Sequence, residues 1–244
     1  MNNAVIIQAR VGSTRLHAKV LKELGGKTVL EHVIERIKQA ETIDNIIIAT
    51  TEKEEDKVIV DLSNKLNVDC FCGSENDVLD RYYQAAKNNN VKNIVRITSD
   101  CPLIDPKVID DVMRCYNGID CDIITNVPNE WETMSYPRGL DLEAFSFWWL
   151  EKAWNEATSE YDREHVSTYI YDNATKRYYY RYPKDYSMYR WTLDTPEDWE
   201  VIKEIYDHFY KGNHDFYMED IVKFLKENPR ISDINKNVIQ KLKH

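Results

Sequence analysis

Ala4-Val5-Ile6-Ile7-Gln8-Ala9, followed at once by Arg10-Val11-Gly12-Ser13-Thr14-Arg15-Leu16-His17-Ala18-Lys19, is the stretch on which the fold turns. A short, nearly continuous apolar run is the pattern of a strand buried on both faces of a parallel sheet, since a strand covered on one face only would alternate. A polar loop follows it. From Thr28 to about Ala40, residues Val29, Leu30, Val33, Ile34 and Ile37 recur at helical spacing, and residues 45–50 form a second buried strand, completing one βαβ unit.

The alternation then repeats. A helix is predicted from about Glu54 to Leu66, a strand from Val68 to Cys72, a helix from Asp77 to Asn88, a strand from Asn93 to Thr98, a helix near Pro106 to Tyr116 and a strand from Asp122 to Thr125. Strands alternating with helices of this length argue for an α/β fold, a doubly wound parallel sheet whose ligands sit beyond the carboxyl ends of the strands. After about Asn126 the rhythm changes to Pro-, Trp- and Tyr-rich segments. Here a strand is expected at Leu140 to Phe145, helices near Trp148 to Ala157 and Arg163 to Asp172, and strands near Arg177 to Tyr182 and Arg190 to Leu193. Helices at Glu197 to Tyr210 and Met218 to Glu227 complete the chain, with a polar tail after Pro229. With no low-complexity linker and no internal repeat, the second half is expected to extend the same sheet as a substrate or dimerisation lobe.

Of the 244 residues, 43% are apolar, enough for a well-buried core, and the formal net charge is -10. That balance speaks against a general nucleic-acid binder, whose footprint is a broad basic face. No apolar stretch approaches a membrane span, and the first residues lack a signal-peptide pattern, so a cytoplasmic protein is expected. The five cysteines have neither paired spacing nor nearby histidines, which favours buried free thiols over disulfides or zinc.

Against this acidic background, residues 1–30 hold five basic side chains and one acidic one. Arg10, Arg15 and Lys19 alternate there with the small donors Gly12, Ser13 and Thr14, a composition suited to an anion: glycine lets the backbone approach phosphate, successive N–H groups form a nest, and the cations neutralise oxygens. The pattern matches neither the P-loop nor the dinucleotide fingerprint. The competing reading is a solvated basic loop, which its place after the first buried strand disfavours.

Two carboxylates stand at strand ends. Asp100 follows the strand 93–98, and Asp194 follows Leu193 before Thr195-Pro196. A carboxylate so placed can hold Mg2+ against a triphosphate, because that ion takes one or two protein oxygens and fills its octahedron with phosphate and water. Asp105 before Pro106 is expected to cap a helix; Thr195 can do the same job before Pro196, which frees Asp194 to be a second metal ligand.

At this point the residues are recognisable. The loop R-V-G-S-T-R-L-H-A-K, the strand end R-I-T-S-D-C-P-L-I-D and the helix start T-L-D-T-P-E-D resemble the nucleotide-sugar cytidylyltransferases, the group of the CMP-deoxyoctulosonate and CMP-neuraminate synthetases. Residues 73–86, 136–143 and 163–171 resemble more narrowly the spore-coat polysaccharide biosynthesis protein F branch. The resemblance implies a GT-A-like (Rossmann-like), mostly parallel mixed sheet flanked by helices. It implies a single nucleotidyltransferase domain over 1–244, with a nucleotide-binding half (1–125) and an acceptor and dimerisation half (126–244). CTP and Mg2+ are the implied cosubstrate and cofactor, and a homodimer the implied assembly. Arg10, Ser13, Arg15 and Lys19 match the family's triphosphate loop, Asp100 and Asp194 its metal positions, and Gly73, Asp80 and Arg81 the enclosure of base and ribose. Two departures stand out: related loops read R-L-P-G-K where this chain has His17-Ala18, and Thr98-Ser99 replaces the Gln-Gly of the sugar-acid enzymes.

The expected chemistry is in-line attack of an acceptor oxygen on the α-phosphorus of CTP, with Arg15, Lys19 and Asp100 as the catalytic groups. Arg138, Asp141, Arg163, Glu164 and His165 are the candidates for binding a sugar acid or phosphorylated acceptor. The alternative for Arg163-Glu164-His165 is a polar helix start, and the aromatic residues Trp148, Trp149, Tyr178 to Tyr180 and Trp191 fit a core or interface better than a sugar platform. Two rival functions share these features: a glycosyltransferase, whose D-x-D motif could only be Asp120-Cys121-Asp122, and a non-catalytic nucleotide-binding protein of a polysaccharide pathway.

Overall fold

The computed structural model describes residues 2–12, 16–128 and 134–239. In chain order the elements are β1 (Asn3–Gln8), the hairpin strands β2 (Glu23–Leu24) and β3 (Lys27–Thr28), α1 (Val29–Ile37), β4 (Asn45–Thr51), α2 (Lys57–Leu66), β5 (Asp69–Gly73), α3 (Val78–Asn88), β6 (Asn93–Thr98), α4 (Pro106–Gly118) and β7 (Ile123–Thr125). They continue with β8 (Glu143–Ser146), α5 (Phe147–Glu156), α6 (Glu160–His165), α7 (Thr168–Asn173), β9 (Arg177–Tyr179), α8 (Pro196–Phe209), α9 (Met218–Glu227) and α10 (Pro229–Asp233).

Seven strands form one mixed sheet in the order β5-β4-β1-β6-β8-β7-β9. The strands β5, β4, β1 and β6 run parallel, as their continuous apolar character requires. β8 is antiparallel to both β6 and β7, and β9 is parallel to β7. Strands from both sides of residue 125 therefore share one sheet. Alternate residues serve two cores: Val5 and Ile7 of β1 pack with α1, α4, α8 and α9, whereas Ala4 and Ile6 pack with α3, α5 and α7.

The helix starts follow local chemistry. Thr28 and Glu31 close a capping box on α1, and Thr195 and Asp198 close another on α8 with Pro196 in its first turn. Asp105 caps α4, and its second oxygen accepts the Met218 N–H at 2.5 Å, which ties the start of α9 to the start of α4.

Several sequence expectations are corrected. The strand expected at 140–145 begins only at Glu143, because the Asn126 side chain bonds the Leu140 carbonyl and the Leu142 N–H and holds that stretch as a turn. Residues 190–193 form a strap and not a sheet strand: Arg138 and Arg190 make one bridge, and the Leu193 N–H reaches the Asp100 carbonyl at 2.8 Å. The strap passes so close to Gly139 (φ +99°) that a Cβ there would lie 2.5 Å from the Trp191 carbonyl carbon. The helix expected over 163–172 is two helices, α6 and α7, broken at Val166 with φ 63°. The five cysteines are free thiols, as expected, but Cys101 alone is fully buried and Cys72 is exposed. No helix among the described residues is long and apolar enough to cross a membrane.

The hairpin, α1 and the loop after α8 meet at a buried histidine pair. His32 Nδ1 lies 2.8 Å from His214 Nε2, and His32 Nε2 lies 2.7 Å from the Leu24 carbonyl. A carbonyl only accepts, so His32 carries its proton on Nε2, and His214 donates to His32 Nδ1. Burial lowers the pKa of both rings and, with Arg36, His32 and Lys27 nearby, pushes His214 down to about 3. The unfolded chain protonates near the ordinary histidine value while the folded one does not, so stability falls as pH drops through this window. His214 alone should remove about 2 kcal/mol between pH 7 and pH 5. Urea unfolding at the two pH values checks this, and His214→Gln should remove most of the difference.

Candidate active site

At the carboxyl ends of β1 and β6 the protein opens into a cavity of about 760 Å³. The first loop contributes Arg10, Gly12 and Lys19 to its wall, β6 and its end contribute Thr98, Ser99 and Asp100, and the turn before α8 contributes Asp194. This is the edge where an open α/β sheet places its ligand, since the strand ends diverge there and the helix N-termini point inward.

Lys19 is the centre of the site. Its Nζ donates to Asp100 Oδ2 at 2.7 Å and to Asp194 Oδ1 at 2.9 Å. Burial would lower the pKa of this ammonium, but the two carboxylates outweigh burial and raise it. Burial would likewise raise the Asp100 carboxyl, and Lys19 together with the Thr98 hydroxyl holds it below the usual range. Both groups therefore stay charged. Two carboxylate oxygens that converge on one cation are also the donor set a hard divalent ion takes, so Asp100 and Asp194 could hold one.

The loop is anchored from below. The Val11 N–H donates to Asp56 Oδ1 at 2.7 Å, and the same carboxylate, 1% exposed, accepts the Thr51 hydroxyl. Ala18 adopts φ 50° and ψ 30°, the left-handed conformation, directly before Lys19. Ser13 and Arg15 lie outside the described residues.

On one flank, Arg81 lines the cavity while only 3% exposed, and its Nε and Nη1 are buried with no hydrogen-bond partner among the described residues. Burial lowers its pKa. Gly73 stands behind it: a Cβ there would lie 3.0 Å from Arg81 Cγ, so the missing side chain leaves room for the arginine stem. Asp80 is turned away, accepting the Trp154 indole N–H at 2.8 Å. Glu75 lines the cavity nearby and pairs with Arg10 and Lys53.

Helix α6, which packs against α3, presents Glu160, Glu164 and His165 to the cavity. The other expected acceptor residues are not in its wall. Arg163 grips Asp77, the cap of α3, through Nε at 3.0 Å and Nη2 at 2.5 Å. Arg138 pairs with Asp141, whose other oxygen accepts the Gly139 N–H. The named tryptophans and tyrosines do not line the cavity either. Asp120 and Asp122 are used at the edge of the sheet, where Asp122 accepts N–H groups from Thr175, Lys176 and Trp149.

Sequence reasoning missed Asp56, Glu75, Arg190 and Asp198. Asp56 sits in the acidic run Glu54-Glu55-Asp56 with nothing local to single it out, whereas Asp198 was visible as the third residue of a capping box.

The cytidylyltransferase family model matches residues 4–227. The chain is 43% identical over 240 residues to an uncharacterized protein of Methanocaldococcus jannaschii, covering 97% of this chain and 95% of that one. It is 32% identical to the spore coat polysaccharide biosynthesis protein SpsF of Bacillus subtilis, covering 92% and 94%. A solved cytidylyltransferase from Leptospira borgpetersenii superposes with a TM-score of 0.88 at 35% identity, over 99% of both chains. The chain is an enzyme that belongs to the cytidylyltransferase family of nucleotidyltransferases.

Proposed function

We propose that this enzyme transfers CMP from CTP to an oxygen of a sugar acid or phosphorylated acceptor, with Mg2+ as cofactor and release of pyrophosphate, in surface-polysaccharide biosynthesis. The observation that carries the reading is the pair of strand-end carboxylates sharing Lys19 inside the cavity. A cytoplasmic homodimer belongs to the same reading.

The acceptor oxygen forms a bond to the α-phosphorus while the bond from that phosphorus to the β-phosphate bridging oxygen breaks, and the electron pair leaves with pyrophosphate. Little covalent help is needed from the protein, so positioning and charge stabilisation supply most of the rate. Arg10, Gly12 and Ser13 hold the triphosphate, and Arg15 and Lys19 offset the charge that grows on pyrophosphate. Asp100 and Asp194 hold the ion, which when bound withdraws charge from the phosphate oxygens. His165 stands on the acceptor flank, where it can share the proton leaving the attacking hydroxyl.

Arg81 supports the cytosine assignment. Cytosine offers N3 as an acceptor to a guanidinium donor, whereas uracil presents an N3–H that would face that donor. Arg81 lines the cavity with a guanidinium whose Nε and Nη1 have no partner among the described residues.

Two measurements test the reading. Pyrophosphate release with CTP, Mg2+ and an acceptor panel should fall by about a hundredfold or more in Asp100→Asn, measured where circular dichroism shows the variant folded, because Lys19 loses a partner and the melting temperature falls; full turnover in that variant rejects the assignment. Turnover of a nucleotide-sugar donor with release of a nucleoside diphosphate or monophosphate, and no pyrophosphate release from CTP, would mark a glycosyltransferase. In a thermal-shift and turnover comparison of CTP with UTP, Arg81→Met should narrow the preference for CTP by about tenfold to a hundredfold.

A further inference from the structure

The family model ends at residue 227, yet the chain beyond α9 returns to the active site. Asn235 follows α10 and is only 3% exposed. Its amide donates to the Arg190 carbonyl at 2.9 Å and to Asp198 Oδ1 at 2.9 Å. Asp198, fully buried, also receives Arg190 Nε at 2.8 Å on Oδ1, and Arg190 Nη2 at 3.1 Å and the Asp194 N–H at 3.0 Å on Oδ2. Arg190 Nη2 in turn reaches Asp194 Oδ2 at 3.1 Å, and Oδ1 of that carboxylate meets Lys19.

A guanidinium is planar, so fixing Nε and Nη2 on one carboxylate fixes the direction in which it approaches the next. Asn235 holds both members of that pair, one through its side chain and the other through its backbone. We propose that Asn235 is a positioning residue for Asp194, and that the segment carrying it is part of the active site. The proposal rests on the reading of Asp194 as a cation ligand. A direct hydrogen-bond partner of a metal ligand commonly changes the metal's affinity by about 10-fold to 100-fold, and Asn235, which acts one step further out through Arg190, is expected at the low end of that range; a role in packing alone would leave affinity untouched.

The test compares Asn235→Ala with Ile231→Ala, which thins the packing of the same segment through a fully buried side chain. The readouts are the Mg2+ concentration giving half-maximal pyrophosphate release and, without turnover, Mn2+ binding to the CTP-free protein by electron paramagnetic resonance. Asn235→Ala should raise the half-saturating Mg2+ and the Mn2+ dissociation constant by about tenfold, with the KM for CTP at saturating Mg2+ unchanged. Asn235→Gln should recover part of the loss. Ile231→Ala should lower the melting temperature and leave both ion affinities as they were. If Asn235→Ala does not fold, Asn235→Ser, which keeps one donor, carries the same comparison. Unmoved ion affinities in the asparagine variants, while wild type needs Mg2+, overturn the positioning role. A wild type that turns over equally well without any divalent ion overturns the reading of Asp194 itself.

Discussion

The salt bridge that the site depends on joins Lys19 to Asp100 and Asp194 across 81 and 175 residues of sequence. Burying charge is costly unless partners replace the lost water, and here each partner comes from a different part of the chain. The loop after β1, the end of β6 and the turn before α8 must therefore arrive together for any of them to be stable there. That requirement explains why so much of the surrounding polar chemistry serves placement: Asp56 pins the loop backbone, Thr98 braces Asp100, and Arg190 with Asp198 braces Asp194.

Much of this was legible in the sequence because it is written in short-range pattern. Continuous apolar runs such as Ala4 to Ile7 can only be buried on both faces, and an Asp directly after such a run stands at the ligand edge. Asp105 and Thr195 announced helix caps through the prolines that follow them, so Asp194 was not needed as a cap. The strap at 190–193 has the composition of a strand but pairs with single residues, Arg138 and Asp100.

The expected acceptor residues that lie outside the cavity wall share one feature. Sequence displays a cation but not its partner, and here the partner lies within the protein. Arg163 is bound to Asp77, 86 residues away, so its charge supports the start of α3. Arg138 is paired with Asp141 in its own turn. Arg81 is the reverse case: no periodicity marks it, and only its burial with two unpartnered donors separates it from a routine helix residue. Asn235 lay in a tail that composition read as polar, because a single buried amide leaves no pattern behind.

The departure at His17-Ala18 shows how a site tolerates a locally poor residue. Related loops place glycine where this chain has Ala18, and the backbone here keeps the left-handed conformation that glycine would adopt freely. For alanine that conformation costs about 1–2 kcal/mol. The loop can carry such a cost because its ends are fixed by stronger terms: the Val11 N–H is held by a buried carboxylate, the Ala18 N–H bonds back to the Val11 carbonyl at 3.2 Å, and Lys19 is locked between two aspartates. A strained residue beside a charged anchor holds the backbone where glycine would hold it freely, and the lysine that follows is fixed by Asp100 and Asp194.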